Sequence, residues 1–94
     1  MKYRVRSTKQ YRKDYKRLEK SKREVAKLNA VIEQLAAGEI LSPHYKDHPL
    51  LGVLRGTRGC HIAPDWVLHY KKQDDVLILF LIGTGTHRDV FGIE

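Results

Sequence analysis

Seven consecutive apolar residues, VLILFLI at positions 76–82, most constrain what this chain can fold into. The run is far shorter than the roughly 18 residues that a membrane-spanning helix needs. An apolar run of this length predicts a β-strand at the centre of a sheet, covered on both faces or nearly so. The rest of the chain must then supply neighbouring strands and helices that cover this strand.

The N-terminal half has the pattern of two helices in a hairpin. Two capping boxes, STKQ at 7–10 and SKRE at 21–24, each place a serine at the N-cap three residues before a glutamine or glutamate. Apolar residues at helical spacing follow each box. They are Tyr11, Tyr15 and Leu18 in the first helix, and Val25, Leu28, Val31 or Ile32, and Leu35 in the second. Gly38 then stands where a C′ glycine would end the second helix.

Three more strands are predicted, at residues 2–6, 52–62 and 66–71. Short turns separate the last three strands of the chain, so these should pair as an antiparallel meander. Residues 39–49 contain two prolines and no periodicity, which predicts a loop. The expected fold is therefore α+β and a single domain of residues 1–94, in the order β-α-α-β-β-β. The helical hairpin should pack on one face of a small antiparallel sheet of about four strands.

The 94-residue chain carries a formal net charge of +7, which is unevenly distributed. Residues 1–46 contain 13 lysines and arginines against 5 acidic residues, whereas residues 47–94 contain 5 against 6. The basic half is either a well-solvated helical surface or a field that attracts a polyanion or an acidic protein. Cys60 is the only cysteine and no signal-like segment follows the basic N-terminus, so a cytosolic protein is expected.

Histidines at the ends of predicted segments are candidate acid–base groups. His48 lies at the end of the loop, His61 ends one strand and His87 follows the last strand. Asp65 lies in the turn between two strands, next to Pro64. In a meander, the strand ends that carry His61 and His87 can share one edge of the sheet. Because imidazole titrates near neutral pH, such a pair can act as base and acid in proton transfer.

A metal site would use the same residue types, since imidazole and carboxylate are common zinc ligands. The close pairs, His44 with His48 and His61 with Asp65, fall in predicted loops or turns rather than on one face of a helix. No metal is therefore expected, and no cofactor motif is present.

Two further residues have structural interpretations. His69 lies within an apolar strand, which indicates a hydrogen-bonded histidine of the core or of its edge. Cys60 precedes His61 on a strand, so the two side chains should point to opposite faces. Cys60 is therefore interpreted as a small buried residue rather than a nucleophile.

These groups fit a substrate that carries its own nucleophile, because the sequence has no acyl-transfer motif or phosphate-binding loop. In RNA, the ribose 2′-hydroxyl lies beside the scissile phosphate. Cleavage needs a base for that hydroxyl, an acid for the leaving 5′-oxygen and cationic charge near the phosphorane. The histidines, the aspartate, basic side chains and the aromatic rings of Trp66 and Phe91 would supply these parts.

Three strings extend this hypothesis: YKDHPL at 45–50, RGCHIAPDWVLHY at 58–70 and TGTHRDVF at 84–91. In this order and spacing, and over essentially the whole chain, they resemble the YafQ branch of the RelE/ParE superfamily of bacterial type II toxins. The resemblance implies a cytoplasmic, ribosome-dependent mRNA endoribonuclease with two helices on one side of a small antiparallel sheet. It also implies neutralisation by a cognate antitoxin, expected to be acidic and encoded adjacently. Operator DNA would be contacted only through the antitoxin complex, and no membrane partner is expected.

The resemblance also implies a site, with catalytic positions at His48, His61, Asp65 and His87. His87 would be the general acid at the leaving oxygen, and His48 or Asp65 would deprotonate the 2′-hydroxyl. His61 would orient the substrate or stabilise charge. Positions expected to contact RNA are Lys46, Arg55, Arg58, Trp66 and Phe91. The RNA partners would be mRNA and, through the basic N-terminal half, ribosomal RNA on the 70S ribosome.

One departure bears on activity: Gly83 stands where many relatives carry an arginine before the TGTH string. If that arginine supports the phosphorane, then Arg55, Arg58 or Arg88 would have to replace it. Two alternatives therefore remain beside the endoribonuclease. One is a ParE-like inhibitor of DNA gyrase, which would not need the histidine and aspartate set. The other is a degenerate toxin that only binds its antitoxin.

Overall fold

A computed structural model describes residues 2–92 of the protein. The helices and strands of this part, in chain order, are β1 (Arg4–Ser7), α1 (Lys9–Glu19), α2 (Val25–Ala36), β2 (His48–Pro49), β3 (Arg58–Ala63), β4 (Trp66–Gln73), β5 (Ile78–Gly85) and α3 (His87–Phe91). Short 3-10 helices, Pro43–Tyr45 and Gly52–Leu54, precede β2 and β3. None of the helices in this part of the chain is long and apolar enough to cross a membrane.

The sheet confirms the α+β class but differs in detail from the predicted antiparallel sheet of about four strands. Its five strands lie in the order β1-β5-β4-β3-β2. β1 pairs with β5 in parallel, because the helical hairpin carries the chain from the end of β1 across the sheet to β2, at the opposite edge. The other pairs are antiparallel. β2 escaped prediction because it has only two residues, too few to show a period.

The apolar run at 76–82 is less deeply covered than its composition suggests. Val76 and Leu77 lie in the turn before β5 and are exposed, and Leu77 has a positive φ of 53°. Within β5, Leu79 and Leu81 are buried, whereas the residues that alternate with them are half-buried. The strand covered on both faces is the first half of β4, where residues 66–70 are all buried. The predicted position of the run inside the sheet is confirmed, but the predicted coverage of both faces is wrong.

The helical hairpin covers one face of the sheet, as predicted. Tyr11 and Leu18 of α1 pack into the core with Leu28 and Leu35 of α2. The sheet contributes Cys60, Ile62, Trp66, Leu68, Tyr70, Leu79 and Leu81 to the same cluster. Because neighbouring residues on a strand point to opposite faces, the residues between these positions line the other face, where α3 packs.

Both helix starts differ from the predicted capping boxes. Thr8 caps α1 by accepting a backbone N–H of the first turn, because Ser7 is the last residue of β1 and pairs with β5. α2 has Glu24 at its N-cap and no side-chain cap bond. Ser21, its predicted cap, instead donates to the Leu18 carbonyl at 2.8 Å. Short-range capping patterns therefore located the hairpin but not the residues at which the helices begin.

Gly38 ends α2 as predicted. Its φ is +82°, in the left-handed region, and its N–H donates to the Leu35 carbonyl at 3.0 Å. The next N–H, of Glu39, donates to the Gln34 carbonyl at 3.0 Å, which completes a Schellman motif. A Cβ at this position would also lie 2.7 Å from the flexible side chain of Lys2, which can shift, so it is the backbone conformation that favours glycine here.

Candidate active site

Three of the four predicted catalytic residues line one open groove of about 360 Å³ on the sheet face opposite the helical hairpin. His48 comes from β2, His61 from β3 and His87 from the first turn of α3. Phe91, at the end of α3, closes one side of the groove. Leu50, Leu51, Val53 and Leu54 form an aliphatic wall on the segment between β2 and β3. We call this cavity the histidine groove.

Two imidazoles face each other in the histidine groove. The ring centroids of His61 and His87 are 4.9 Å apart, with planes inclined by 57°. His87 also lies 5.9 Å from the ring of Phe91. Thr86 caps α3 by accepting the Asp89 N–H at 3.1 Å, which sets the direction of the helix and so of His87. The pair is close enough for both rings to reach one small group between them.

His48 is exposed at the rim of the groove, where β2 pairs with β3 opposite Gly59. Its Nδ1 lies 3.1 Å from the backbone carbonyl of Pro49. A carbonyl oxygen only accepts, so Nδ1 carries the proton in this bond and Nε2 of the neutral ring keeps its lone pair. This tautomer leaves His48 with a nitrogen able to accept a proton.

The environment of His61 favours the neutral imidazole. Burial lowers the pKa of His61, and the nearby charges of His87, Lys46 and His48 lower this pKa further. Near pH 7 a ring of this kind accepts or orients a proton more readily than it carries positive charge. Of the two roles predicted for His61, the lowered pKa therefore suits orientation better than charge stabilisation.

Asp65 is not part of the histidine groove. It is exposed in the turn between β3 and β4 and borders a neighbouring shallow groove with Thr86, His87 and Arg88. His87 lines both grooves, so it is the link between Asp65 and the other histidines. The guanidinium of Arg23, from the loop between α1 and α2, donates to the backbone carbonyl of Asp65 at 3.2 Å and holds this turn.

Trp66 has a different place from the one predicted. Only 2% of its surface is exposed, and its Nε1 donates to Thr84 Oγ1 at 2.9 Å. The guanidinium of Arg23 lies 5.4 Å from the ring centroid on the hairpin side of the sheet. A ring this buried has no face on which a base could stack, so the predicted stacking role of Trp66 is wrong. Trp66 instead supports the turn that carries Asp65.

The three cations predicted to contact RNA occupy different surroundings. Lys46 is exposed, with φ 51°, and its charge acts on His61. Arg55 is exposed on the segment that carries the aliphatic wall. Arg58 points to the hairpin side of the sheet, where its Nε donates to Asp47 Oδ1 at 3.2 Å and Tyr70 donates to the same oxygen. Arg58 is therefore a structural ion-pair partner on the face opposite the groove, and its RNA contact stays a prediction.

The interpretation of Cys60 as a buried residue is confirmed. Cys60 is buried, and burial raises the pKa of its thiol to about 12, so it carries no thiolate near pH 7. Its side chain and that of His61 point to opposite faces of the sheet, as predicted. Within residues 2–92 no three histidine, cysteine, aspartate or glutamate side chains are grouped so as to hold a metal ion.

His69 is also confirmed as a hydrogen-bonded buried residue. Its Nε2 lies 2.9 Å from Thr57 Oγ1, which itself donates to the Leu54 carbonyl, so His69 is the donor in this pair. The ring packs edge-on against Phe91 at 5.4 Å between centroids. His69 thus supports both sides of the histidine groove, a role that the sequence pattern did not indicate.

Comparisons with known proteins identify the family of this chain. Residues 3–92 match the family model described as the bacterial toxin of type II toxin–antitoxin systems, YafQ. The chain is 40% identical over 84 residues to the mRNA interferase toxin YafQ of Escherichia coli strain K12, which is 88% of this chain and 89% of that relative.

Solved structures extend the likeness to the whole fold. The crystal structure of YafQ from Escherichia coli strain BL21(DE3) is 34% identical and superimposes with a TM-score of 0.89, covering 96% of this chain and 99% of that one. A chain of the Escherichia coli DinJ–YafQ complex gives a TM-score of 0.87 at 35% identity, with 96% and 99% covered. The chain therefore belongs to the YafQ family of toxins of bacterial type II toxin–antitoxin systems.

Proposed function

We propose that this protein is the toxin of a type II toxin–antitoxin system and an endoribonuclease that cuts mRNA on the ribosome. The observation that carries the proposal is the convergence of His48, His61 and His87, from three separate elements, on one open groove. The Escherichia coli relative is named an mRNA interferase toxin, which supports the same activity. A protein that only bound gyrase or an antitoxin would have no use for facing imidazoles.

The proposed reaction is an attack of the ribose 2′-oxygen on the adjacent phosphorus. A base removes the 2′-hydroxyl proton, the O2′–P bond forms, and the P–O5′ bond breaks as an acid donates a proton to O5′. The products are a 2′,3′-cyclic phosphate and a 5′-hydroxyl. His87 serves as the acid and His48 or Asp65 as the base, while His61 orients the reacting groups. Lys46 supplies cationic charge for the phosphorane.

The proposed partners follow from the family and from the charge. One Escherichia coli relative has been solved as a DinJ–YafQ toxin–antitoxin complex, so we expect a cognate antitoxin that neutralises this chain in the bacterial cytoplasm. Operator DNA would be reached through that complex. The basic residues of the N-terminal half would contact ribosomal RNA through its phosphates.

The catalytic role of His87 is tested by expressing His87→Gln without antitoxin and mapping mRNA 5′ ends. We expect cleavage to fall by about 10²-fold or more, as for the loss of a general acid, and growth arrest to disappear. His44→Gln is the matched control, because His44 is exposed, bonds Ser42 at 2.8 Å and lies outside the histidine groove. Full toxicity of a folded His87→Gln protein would contradict the assignment.

The same experiment separates the two alternatives. A gyrase inhibitor would produce DNA breaks and no codon-linked mRNA ends, and His87→Gln would leave that effect in place. A degenerate toxin would bind its antitoxin but would neither arrest growth nor cut mRNA, even as the unaltered protein.

A further inference from the structure

Two large aliphatic side chains stand fully in solvent at the mouth of the histidine groove. Leu51 is 85% exposed, and Val53 is completely exposed. Both continue a surface made by Leu50, Leu54 and Phe91, so the aliphatic wall is one contiguous patch beside the three imidazoles. Contiguous exposed apolar surface on a small protein usually marks a binding site, particularly where polar groups rim it.

The segment that carries the wall is held in shape from both ends. The Leu50 N–H donates to the Thr57 carbonyl at 2.9 Å, and the Thr57 N–H donates to the Leu54 carbonyl at 3.1 Å. His69 anchors Thr57 from within the sheet. Gly52 and Gly56, with φ of +67° and +95°, make the bends, and a Cβ at either position would meet nothing within 4 Å. Glycine is needed there for backbone conformation alone, so the bends present Leu51 and Val53 outward.

The histidine groove therefore combines an apolar surface with groups that act on an anion. A nucleotide has the matching parts, since its base has flat apolar faces and its phosphate is anionic a short distance away. None of the four wall side chains carries a hydrogen-bonding group, so the wall is suited to the face of a base and not to its edge. Contacts of this kind tolerate every base but require that a base be present.

We propose that Leu51 and Val53, which line the histidine groove together with Phe91, form a nucleobase subsite. It holds the unpaired base of the nucleotide next to the scissile phosphate. The subsite rests on the proposed endoribonuclease function, and it identifies the base as the part of the RNA that the wall binds. Its contribution lies in substrate positioning, because neither side chain can transfer a proton.

The test is a double-mutant cycle that combines a protein variant with an altered mRNA, measured on ribosomes that carry a defined mRNA. The unaltered protein and the double variant Leu51→Ser/Val53→Ser each cut mRNA whose A-site codon is intact or carries one abasic nucleotide, placed at each position in turn. We expect the double variant to lose about tenfold in kcat/KM on intact mRNA, as for the loss of apolar contact with one base. At one codon position, the abasic mRNA should be cut equally slowly by both proteins.

Ile40→Ser is the matched control, because Ile40 is 95% exposed and lies outside the histidine groove. It should cut both RNAs like the unaltered protein. Equal cleavage of intact mRNA by the double variant, with its thermal unfolding unchanged, would overturn the subsite. The subsite would also be overturned if the double variant cut mRNA more slowly than the unaltered protein by the same factor at every abasic position. The wall would then contact a protein or the ribosome and not a base. No cleavage by the unaltered protein would refute the proposed function itself, a different result from either.

Discussion

At the scale of single residues, the acid–base properties of the groove depend on small numbers of neighbouring charges. His61 is half-buried beside two other imidazoles and a lysine, and all of these disfavour its charged form. The lowered pKa of His61 means that lowering the pH protonates this ring only below the range of an ordinary histidine. A neutral His61 at pH 7 adds no positive charge of its own to the groove.

Removal of the Lys46 charge should raise the pKa of His61 toward its ordinary value of 6.5. Lys46→Asn is the suitable variant, since asparagine tolerates the positive φ of this position better than most residues. The measurement is an NMR titration of the histidine ring resonances. The pKa of His69, which is lowered by burial alone, should not move. If the pKa of His61 did not change either, the charge of Lys46 would not act on His61.

At the scale of elements, β5 changes its neighbour halfway along. β1 pairs with its first half, as far as Leu81, and α1 then takes over the exposed edge. Asp14 of α1 accepts the Thr84 N–H at 3.1 Å, so the edge donor is satisfied by a side chain instead of a strand. The same carboxylate accepts from Gln10 at 2.9 Å and Arg17 at 2.8 Å. This contact fixes the end of β5 just before the turn into His87.

Asp14→Ala should destabilise the fold by about 3 kcal/mol, because it leaves the buried Thr84 N–H without an acceptor. Asp14→Asn keeps one side-chain oxygen for that N–H and should cost less. Urea unfolding measures both, with Lys13→Ala on the exposed side of α1 as the control, expected within about 0.5 kcal/mol of the unaltered protein. Equal stability of Asp14→Ala and Lys13→Ala would refute the edge role.

Gly83 belongs to the same element-scale arrangement. A Cβ at Gly83 would lie 3.3 Å from Asp14 Oδ2 and 3.9 Å from Val90, so this position lies behind α3 and beside a buried carboxylate. The arginine that the family resemblance led us to expect here would begin its side chain at this place. Arg17, on α1, is the cation that pairs with Asp14, at 2.8 Å.

At the scale of the whole molecule, the sheet separates the basic helices from the groove. The hairpin, which carries most of the excess of lysine and arginine, covers one face, and the histidine groove lies on the other. A polyanion bound by this charge would therefore lie on the sheet face opposite the groove. Binding and chemistry are expected to respond to different substitutions.

Charge reversal on the exposed surface of α1, Lys13→Glu with Lys20→Glu, should weaken association with ribosomes by about tenfold at low salt and less at high salt. The cleavage rate at saturation should change little, so the loss should appear in KM and not in kcat. Lys71→Glu with Lys72→Glu makes the same change of charge in the C-terminal half. If that pair weakened association equally, net charge rather than the hairpin surface would be responsible.

Much of this fold was predictable because local patterns report it. The helical spacing of Leu28 and Leu35 predicted a buried helix face, and the glycine at 38 predicted where that helix ends. The two residues of β2 carry no such pattern, since only pairing with β3 defines them. The parallel pairing of β1 with β5 likewise depends on the path of the hairpin across the sheet and not on the residues of β1.

The sequence by itself determined the fold class, the helical hairpin and the candidate acid–base groups, because hydrophobic period and side-chain chemistry are properties of local sequence. Only the tertiary structure decided which groups meet. It brought His48, His61 and His87 into one groove, set Asp65 beside it, buried Trp66 and turned Arg58 to the far face. The physical reason is strand register: side chains alternate between faces, so a pairing set by distant residues fixes which face each group occupies.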